Sequence, residues 1–345
     1  MKQELDGRVD QAFGHLMLIG LASILEQQGV ARVRIHWSNG MDPRPVIEAD
    51  CEWLEACELV RAYAETLTSD GSWVVARTVV DGKSRALFSP RSGEPAASEW
   101  MAIESQRHAA VEELGAWPAD WMSLRMIGAL GAAAYWGREV NRRIQVDQGA
   151  SRWEMKTRNR GEEFVGNRLA PLTSAVALRD AHEISDGLLG CLALDEKGKR
   201  ASVSSRLATG LRSPAPVDAA QAWCALLGLS SFPVLHQVDQ LTRTAGYEGR
   251  YSTGFFHVPV PGRATSPAVV RAVIASEMPR GFLTGESEAS RQAAGEGMAK
   301  RGFVAVVKFP LLVSGNSSAP ERWAGVGEVI PTARDWSEPV ASAAK

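Results

Sequence analysis

The sequence predicts a mixed α/β (α+β) fold, with helices packed on small, mainly antiparallel sheets in at least two domains. Three stretches carry that prediction. Between residues 11 and 28, apolar residues fall at Phe13, Leu16, Met17, Gly20, Leu21, Ile24 and Leu25, the spacing of one helical face. Val33, Ile35 and Trp37 then alternate with Arg34 and His36, the period of a half-buried strand. Further on, residues 73–80 and 83–88 flank Asp81-Gly82, a dipeptide that supplies the positive φ angles of a type I′ hairpin turn.

The remaining elements follow in order. Gly29 stops the first helix, and a second helix is predicted over 51–67. The pattern over 97–137 is helical, with a break at Trp117-Pro118, where proline can begin a helix but not continue one. Within it, 121–136 is rich in Met, Ala and Gly and reads as closely packed core. The stretch 197–216 mixes Ser, Gly, Pro and basic residues, so it reads as an exposed connection and a domain boundary. Beyond it come a helix at 217–229, a glycine-rich segment at 243–254, a helix at 267–276, strands at 303–309 and 322–329, and a loose tail. The predicted organisation is an N-terminal α/β domain (1–137), a basic central region (138–216), a C-terminal α+β domain (217–330) and the tail 331–345, without internal repeats.

Composition narrows the function. Hydrophobic residues make up 45% of the 345, charged ones 23%, which is globular rather than disordered or fibrous. With 38 Lys and Arg against 40 Asp and Glu, the net charge of -2 gives no global sign of a polyanionic partner, so any nucleic-acid surface must be local. Glu4, Asp6 and Asp10 precede the first apolar run, unlike a signal peptide, and the run 16–25 is too short to span a bilayer, so no membrane partner is expected. Four cysteines are too sparse for a disulfide framework and fit reduced thiols in the cytoplasm. Cys51 and Cys57, six apart on a predicted helix, do not share a face as zinc ligands would. Neither metal nor cofactor is expected.

Catalytic motifs are missing as well. Gly82-Lys83-Ser84 has Arg77 where a P-loop places its first glycine. There is no G-x-S-x-G elbow or H-E-x-x-H pair, and the six histidines are scattered. The expectation is a protein without catalysis of its own; the alternatives are a small-molecule hydrolase or transferase with an unrecognised site, or a protein-only scaffold.

Two segments carry recognisable chemistry. If residues 152–160 are extended, Arg152, Lys156, Arg158 and Arg160 share one face, while Trp153, Met155 and Thr157 take the other. Arg138 and Arg142 stand four apart on a predicted helix, and Arg143 and Arg168 flank the region. Such a stripe suits a phosphodiester backbone, because guanidinium forks match phosphate oxygens. An ordinary solvated face, paired with Glu139, Glu154, Glu162 and Glu163, has the same composition. In the second segment Arg243, Tyr247, Arg250 and Tyr251 are interleaved with Gly246, Gly249 and Gly254. Glycine permits close backbone approach and tyrosine can stack on bases, although a structural hairpin would use the same residues.

Taken together, GHLMLIGLASILEQQGVARVRIHW, WEMKTRNRGEEFVGNRLAPL, WCALLGLSSFPV, RTAGYEGRYSTGFFHVPVPG and SPAVVRAVIAS resemble blocks of divergent subunits of type I CRISPR interference (Cascade) complexes. The likeness is to the compact large-subunit-like proteins of the I-U (I-G) systems. It implies a non-catalytic subunit that contacts CRISPR RNA and target DNA among other Cascade subunits and helps recruit a helicase-nuclease in trans. Lys156, Arg158, Asn159 and Arg160 match the family's basic block. The chain is shorter than many large subunits, which implies that a C-terminal helical bundle would come from another protein.

Overall fold

One buried helix organises the structure. The computed structural model describes residues 1–89, 95–131, 138–140, 143–145, 151–153, 164–194, 209–212, 215–236, 242–249, 254–313 and 322–333. Strand β1 (Lys2–Glu4) leads into α1 (Ala12–Gln27), which is buried around its whole circumference from Ala12 to Leu25. The sequence predicts a single apolar face. The other side carries Ala12, His15, Leu18, Ile19, Ala22 and Ser23, apolar or small but for the histidine, and a helix covered all round belongs in a core.

Strands β2 (Arg34–Trp37) and β3 (Pro45–Glu48) complete an antiparallel sheet in the order β1-β3-β2. Ile35 and Trp37 are buried and Arg34 and His36 half-buried, as the alternation predicts. Helix α2 (Trp53–Thr68) begins two residues after Cys51, so only Cys57 of that pair is helical. The hairpin of β4 (Arg77–Val80) and β5 (Lys83–Ala86) turns at Asp81 and Gly82 with φ of 50° and 68°, the predicted geometry.

Helix α3 (Ala97–Gly115) is followed by α4 (Trp121–Leu130), whose end is set by left-handed Gly131 rather than reaching residue 137. Next comes an antiparallel pair of β6 (Arg138–Val140) and β7 (Arg143–Gln145), with Val140 opposite Arg143, where the sequence predicts a helix. A π-helical turn (Val165–Leu169) runs into α5 (Ala170–Ala177) and α6 (Ala181–Leu188). Helix α7 (Ala219–Leu227) continues as a 3₁₀ turn (Gly228–Ser231) and crosses α1 at very close range.

The second sheet follows. The short pair β8 (Val234–His236) and β9 (Thr242–Thr244) leads to β10 (Tyr247–Glu248) and β11 (Phe255–Pro261). Helices α8 (Pro267–Ala275), α9 (Met278–Thr284) and α10 (Glu288–Lys300) precede the long β12 (Phe303–Val313). The strand predicted at 322–329 is two strands, β13 (Arg322–Ala324) and β14 (Glu328–Pro331), which pair with opposite ends of β12. The sheet order is β10-β11-β12-β13, with β14 also on β12, and a lone bridge links Ile35 of β2 to Thr265, between β11 and α8. The architecture is α+β.

The connection predicted at 197–216 is described at 209–212 and from 215 onward, and there it is partly interior. Leu211 is fully buried; Phe13 donates to its carbonyl at 3.1 Å, and Ala324 donates to that of Gly210 at 2.7 Å. One apolar cluster therefore runs from Leu5 through α1, α2 and α7 to Phe309 and Ala324 across that boundary. Among the described residues no helix is long and apolar enough to cross a membrane.

His15 sits in this core on α1, against Trp37 at 4.4 Å and Phe309 at 5.9 Å between ring centroids. Its Nε2–H donates to the Val9 carbonyl at 2.7 Å. Burial drives its pKa down to about 4, against the smaller opposing effects of that bond and Asp10. Burial also lowers His257. An unfolded histidine takes its proton near pH 6.5 and folded His15 only near 4, so the unfolded chain binds more protons between those values. Stability is therefore full above pH 6.5 and declines on acidification toward 4, by about 3 kcal/mol from His15 alone. Urea midpoints at pH 7.5 and 5 should differ accordingly, and His15→Gln should flatten that dependence; a dependence unchanged in the variant would remove His15 as its source.

Candidate nucleic-acid interface

The glycine-rich segment is built on a packed aromatic base. Arg243 lies in β9, and the chain turns through Ala245 and Gly246 into β10. Gly246 has φ of 71°, and a Cβ there would come within 2.8 Å of the Phe232 ring. Tyr247 is only 6% exposed, with its ring 5.0 Å from that of Phe256. A Cβ at Gly254 would lie 2.2 Å from the Tyr247 hydroxyl oxygen, so this glycine makes room for the tyrosine rather than for a ligand. The ring expected to stack on bases is instead a core ring.

Arg243 is also held inside the protein. Its Nη2 donates to Glu248 Oε1 at 2.9 Å, and its Nη1 donates to Glu277. Arg280 approaches the same two carboxylates, Nε lying 3.2 Å from Glu248 Oε2 and Nη1 3.4 Å from Glu277 Oε2. Buried His257 places Nε2 3.7 Å from Glu248 Oε1, beyond hydrogen-bond length. Burial would raise the Glu248 carboxyl, but His257 and the charges of Arg243 and Arg280 outweigh it and hold the group below the usual carboxylate range. Glu277 differs from Glu248 in being 69% exposed, so Glu248 is the enclosed acid of the cluster and Glu277 the solvent-facing one.

The structure brings the two predicted segments together. Trp153, at the start of the basic stretch, is fully buried between Phe232 (4.7 Å) and Phe256 (4.2 Å), and its Nε1–H donates to the Ala245 carbonyl at 2.9 Å. The backbone N–H of half-buried Arg152 donates to Thr244 Oγ1 at 3.0 Å. The indole is thus a core group; residues 152 and 153 lie in a turn, and the rest of the stretch expected to be extended lies outside the described residues. Lys156, Arg158, Asn159 and Arg160 follow within seven residues of Trp153, and Arg250 and Tyr251 within three of Glu248; all six lie outside the described residues.

The other predicted residues are placed elsewhere. Arg138 is on β6 instead of a helix, and Arg142 lies outside the described residues. Arg168 is 2% exposed within the π-helical turn, which puts it in the interior instead of on a stripe. Sequence reading missed Glu248, His257, Glu277 and Arg280, since they come from three elements and no spacing links them. Among the described residues, no group of three or more His, Cys, Asp or Glu is placed to hold a metal ion. In comparison with known proteins, the chain matches no family profile, and no curated protein is significantly similar to it in sequence.

Proposed function

We propose that this chain is a non-catalytic subunit of a cytoplasmic, RNA-guided CRISPR interference complex, contacting CRISPR RNA and target DNA beside other Cascade subunits and helping to recruit a helicase-nuclease. The resemblance of the ordered sequence blocks supports the assignment. The observation that carries its nucleic-acid part is the shared anchor: Trp153 fastens the basic stretch to Ala245, so both candidate segments start from one rigid base. The residue types of the two segments, Lys156 with Arg158 and Arg160 in one and Arg250 with Tyr251 in the other, suit a heteroduplex or a displaced strand recognised through its phosphates.

Two measurements in the assembled complex test this reading. The triple change Lys156→Ala, Arg158→Ala and Arg160→Ala should weaken DNA binding alike for all sequences and lower the salt slope by roughly 0.9 per lost duplex phosphate contact. Unchanged affinity and slope return the stripe to a solvated face. Separately, Arg250→Ala or Tyr251→Ala should impair closed duplex targets more than targets already opened by a mismatched bubble, because a stacked base is worth about 1–3 kcal/mol only once it is unpaired. Equal loss on both substrates would indicate plain phosphate binding, and no loss a structural loop.

A further inference from the structure

The chain from the C-terminal half of α3 to the start of α4 presents two tryptophans to solvent. Trp117 is 93% exposed and Trp121 59%, although tryptophan is usually well covered in folded proteins. The turn that carries them is fastened from beneath. Asp120 N–H donates to the Leu114 carbonyl at 3.0 Å, while the Asp120 carboxylate accepts from Ser123 N–H at 2.9 Å and from the Tyr63 hydroxyl at 3.2 Å. Gln27, at the end of α1, grips the turn with both ends of its amide: Nε2 donates to the Ala119 carbonyl at 3.3 Å, and Oε1 accepts from Met122 N–H at 3.2 Å. The indoles are therefore displayed on an ordered support, which reduces the entropy lost when something binds them.

Among the described side chains from the middle of α3 to the turn, the exposed charges are carboxylates. Glu112 and Glu113 are exposed and Glu104 half-exposed, with His108 beside them. The cations of this stretch are withdrawn: Arg107 is buried, giving Nε–H to the Leu87 carbonyl at 2.8 Å, and Arg125 faces Glu26 at 3.9 Å, which also pairs with Arg271 at 2.7 Å. The exposed cations Arg77 and Lys83 belong to the β4–β5 hairpin, whose turn meets the opposite end of α3 where Asp81 N–H donates to Glu99 at 3.0 Å. Carboxylates repel a phosphodiester chain, whereas carboxylates and indole faces both attract ammonium and guanidinium groups.

We propose that the C-terminal half of α3 and the Trp117–Trp121 turn form a docking surface for a basic segment of a partner protein, one that lays arginine or lysine side chains across the two indoles and the acids beside them. This surface is independent of the nucleic-acid reading and stands or falls separately. The test is fluorescence anisotropy on the full chain, using a short fluorescein-labelled peptide that alternates arginine with leucine. The same peptide with glutamate for arginine, and an oligothymidylate, serve as the other probes. Saturable binding of the basic peptide is expected, weakened at least about tenfold by Trp117→Ala with Trp121→Ala. Glu112→Gln with Glu113→Gln should weaken it several-fold and reduce its salt dependence. Thermal melts should be unchanged in both variants, because all four side chains are exposed. Absence of saturable binding, binding indifferent to both double variants, or preferential binding of oligothymidylate through the same tryptophans overturns the proposal.

Discussion

Gly20→Ala is expected to destabilise the protein by about 3 kcal/mol or more, a large effect for one added methyl group. A Cβ at Gly20 would stand 1.9 Å from the Cys224 carbonyl oxygen and 2.8 Å from Gly228 N, and reciprocally a Cβ at Gly228 would stand 2.1 Å from the Leu16 carbonyl oxygen. These are backbone atoms of two packed helices, so no rotamer change relieves the overlap; α1 and α7 must move apart and open the core along their length. Alanine gains up to about 1 kcal/mol in helix propensity over glycine, which the clash overwhelms. Gly128→Ala is the matched control, since it lies in α4 with open space around it and should be neutral or slightly stabilising. Urea midpoints compare Gly20→Ala, Gly228→Ala, their combination and Gly128→Ala. In Gly20→Ala with Gly228→Ala the losses should be less than additive, because one separation relieves both contacts. A Gly20→Ala midpoint equal to that of Gly128→Ala would mean that the helices do not cross at this distance.

A comparable loss, about 3–5 kcal/mol, is expected for Asp218→Ala. Asp218 is buried, and its carboxylate accepts from Arg179 Nη1 at 2.8 and 3.0 Å, from Ala220 N–H at 2.8 Å and from Leu194 N–H at 3.1 Å. It thereby caps α7, holds residue 194 and neutralises an arginine that is itself buried and donates Nη2–H to the Leu194 carbonyl at 2.9 Å. Removing the carboxylate leaves a guanidinium charge in the interior, and that uncompensated charge dominates the loss. Asp218→Asn with Arg179→Met should cost distinctly less than the sum of the single changes, since the amide oxygen can still cap α7 and no charge remains. Additive losses across this double-mutant cycle would show that the pair is not coupled.

The sequence was most legible where one periodicity ran uninterrupted. Helices α1, α2 and α8, the Asp81-Gly82 hairpin and the body of β12 all follow from spacing or turn chemistry. Strand β11 did not, because Phe-Phe-His-Val-Pro-Val-Pro carries two prolines that argue against a strand. The ladder explains them. His257 N–H donates toward Gly246, so Pro259 and Pro261, of the same parity, face an edge where β10 pairs only with Phe255 and Phe256, and no hydrogen bond is lost. The candidate site was legible as two separate segments, but not as one place. Its union depends on Trp153 reaching Ala245, a contact 92 residues apart in sequence, and on Glu248 collecting cations from β9 and α9. Composition likewise marked Tyr247 and Arg168 as chemically able to bind a polyanion without revealing that packing encloses them.

The α1–α7 crossing also bears on how the chain is made. Helix α1 is translated about 200 residues before the helix that covers it. At a synthesis rate of ~5–20 residues per second, that is roughly 10–40 s during which a helix buried all round in the fold has emerged without its principal neighbour. The nascent chain must keep that surface from sticking to others, so a ribosome-associated chaperone is a natural companion at this stage. Synthesis that stalls before Leu227 leaves α1 uncovered, and such truncated chains should partition into the insoluble fraction while the full-length protein does not.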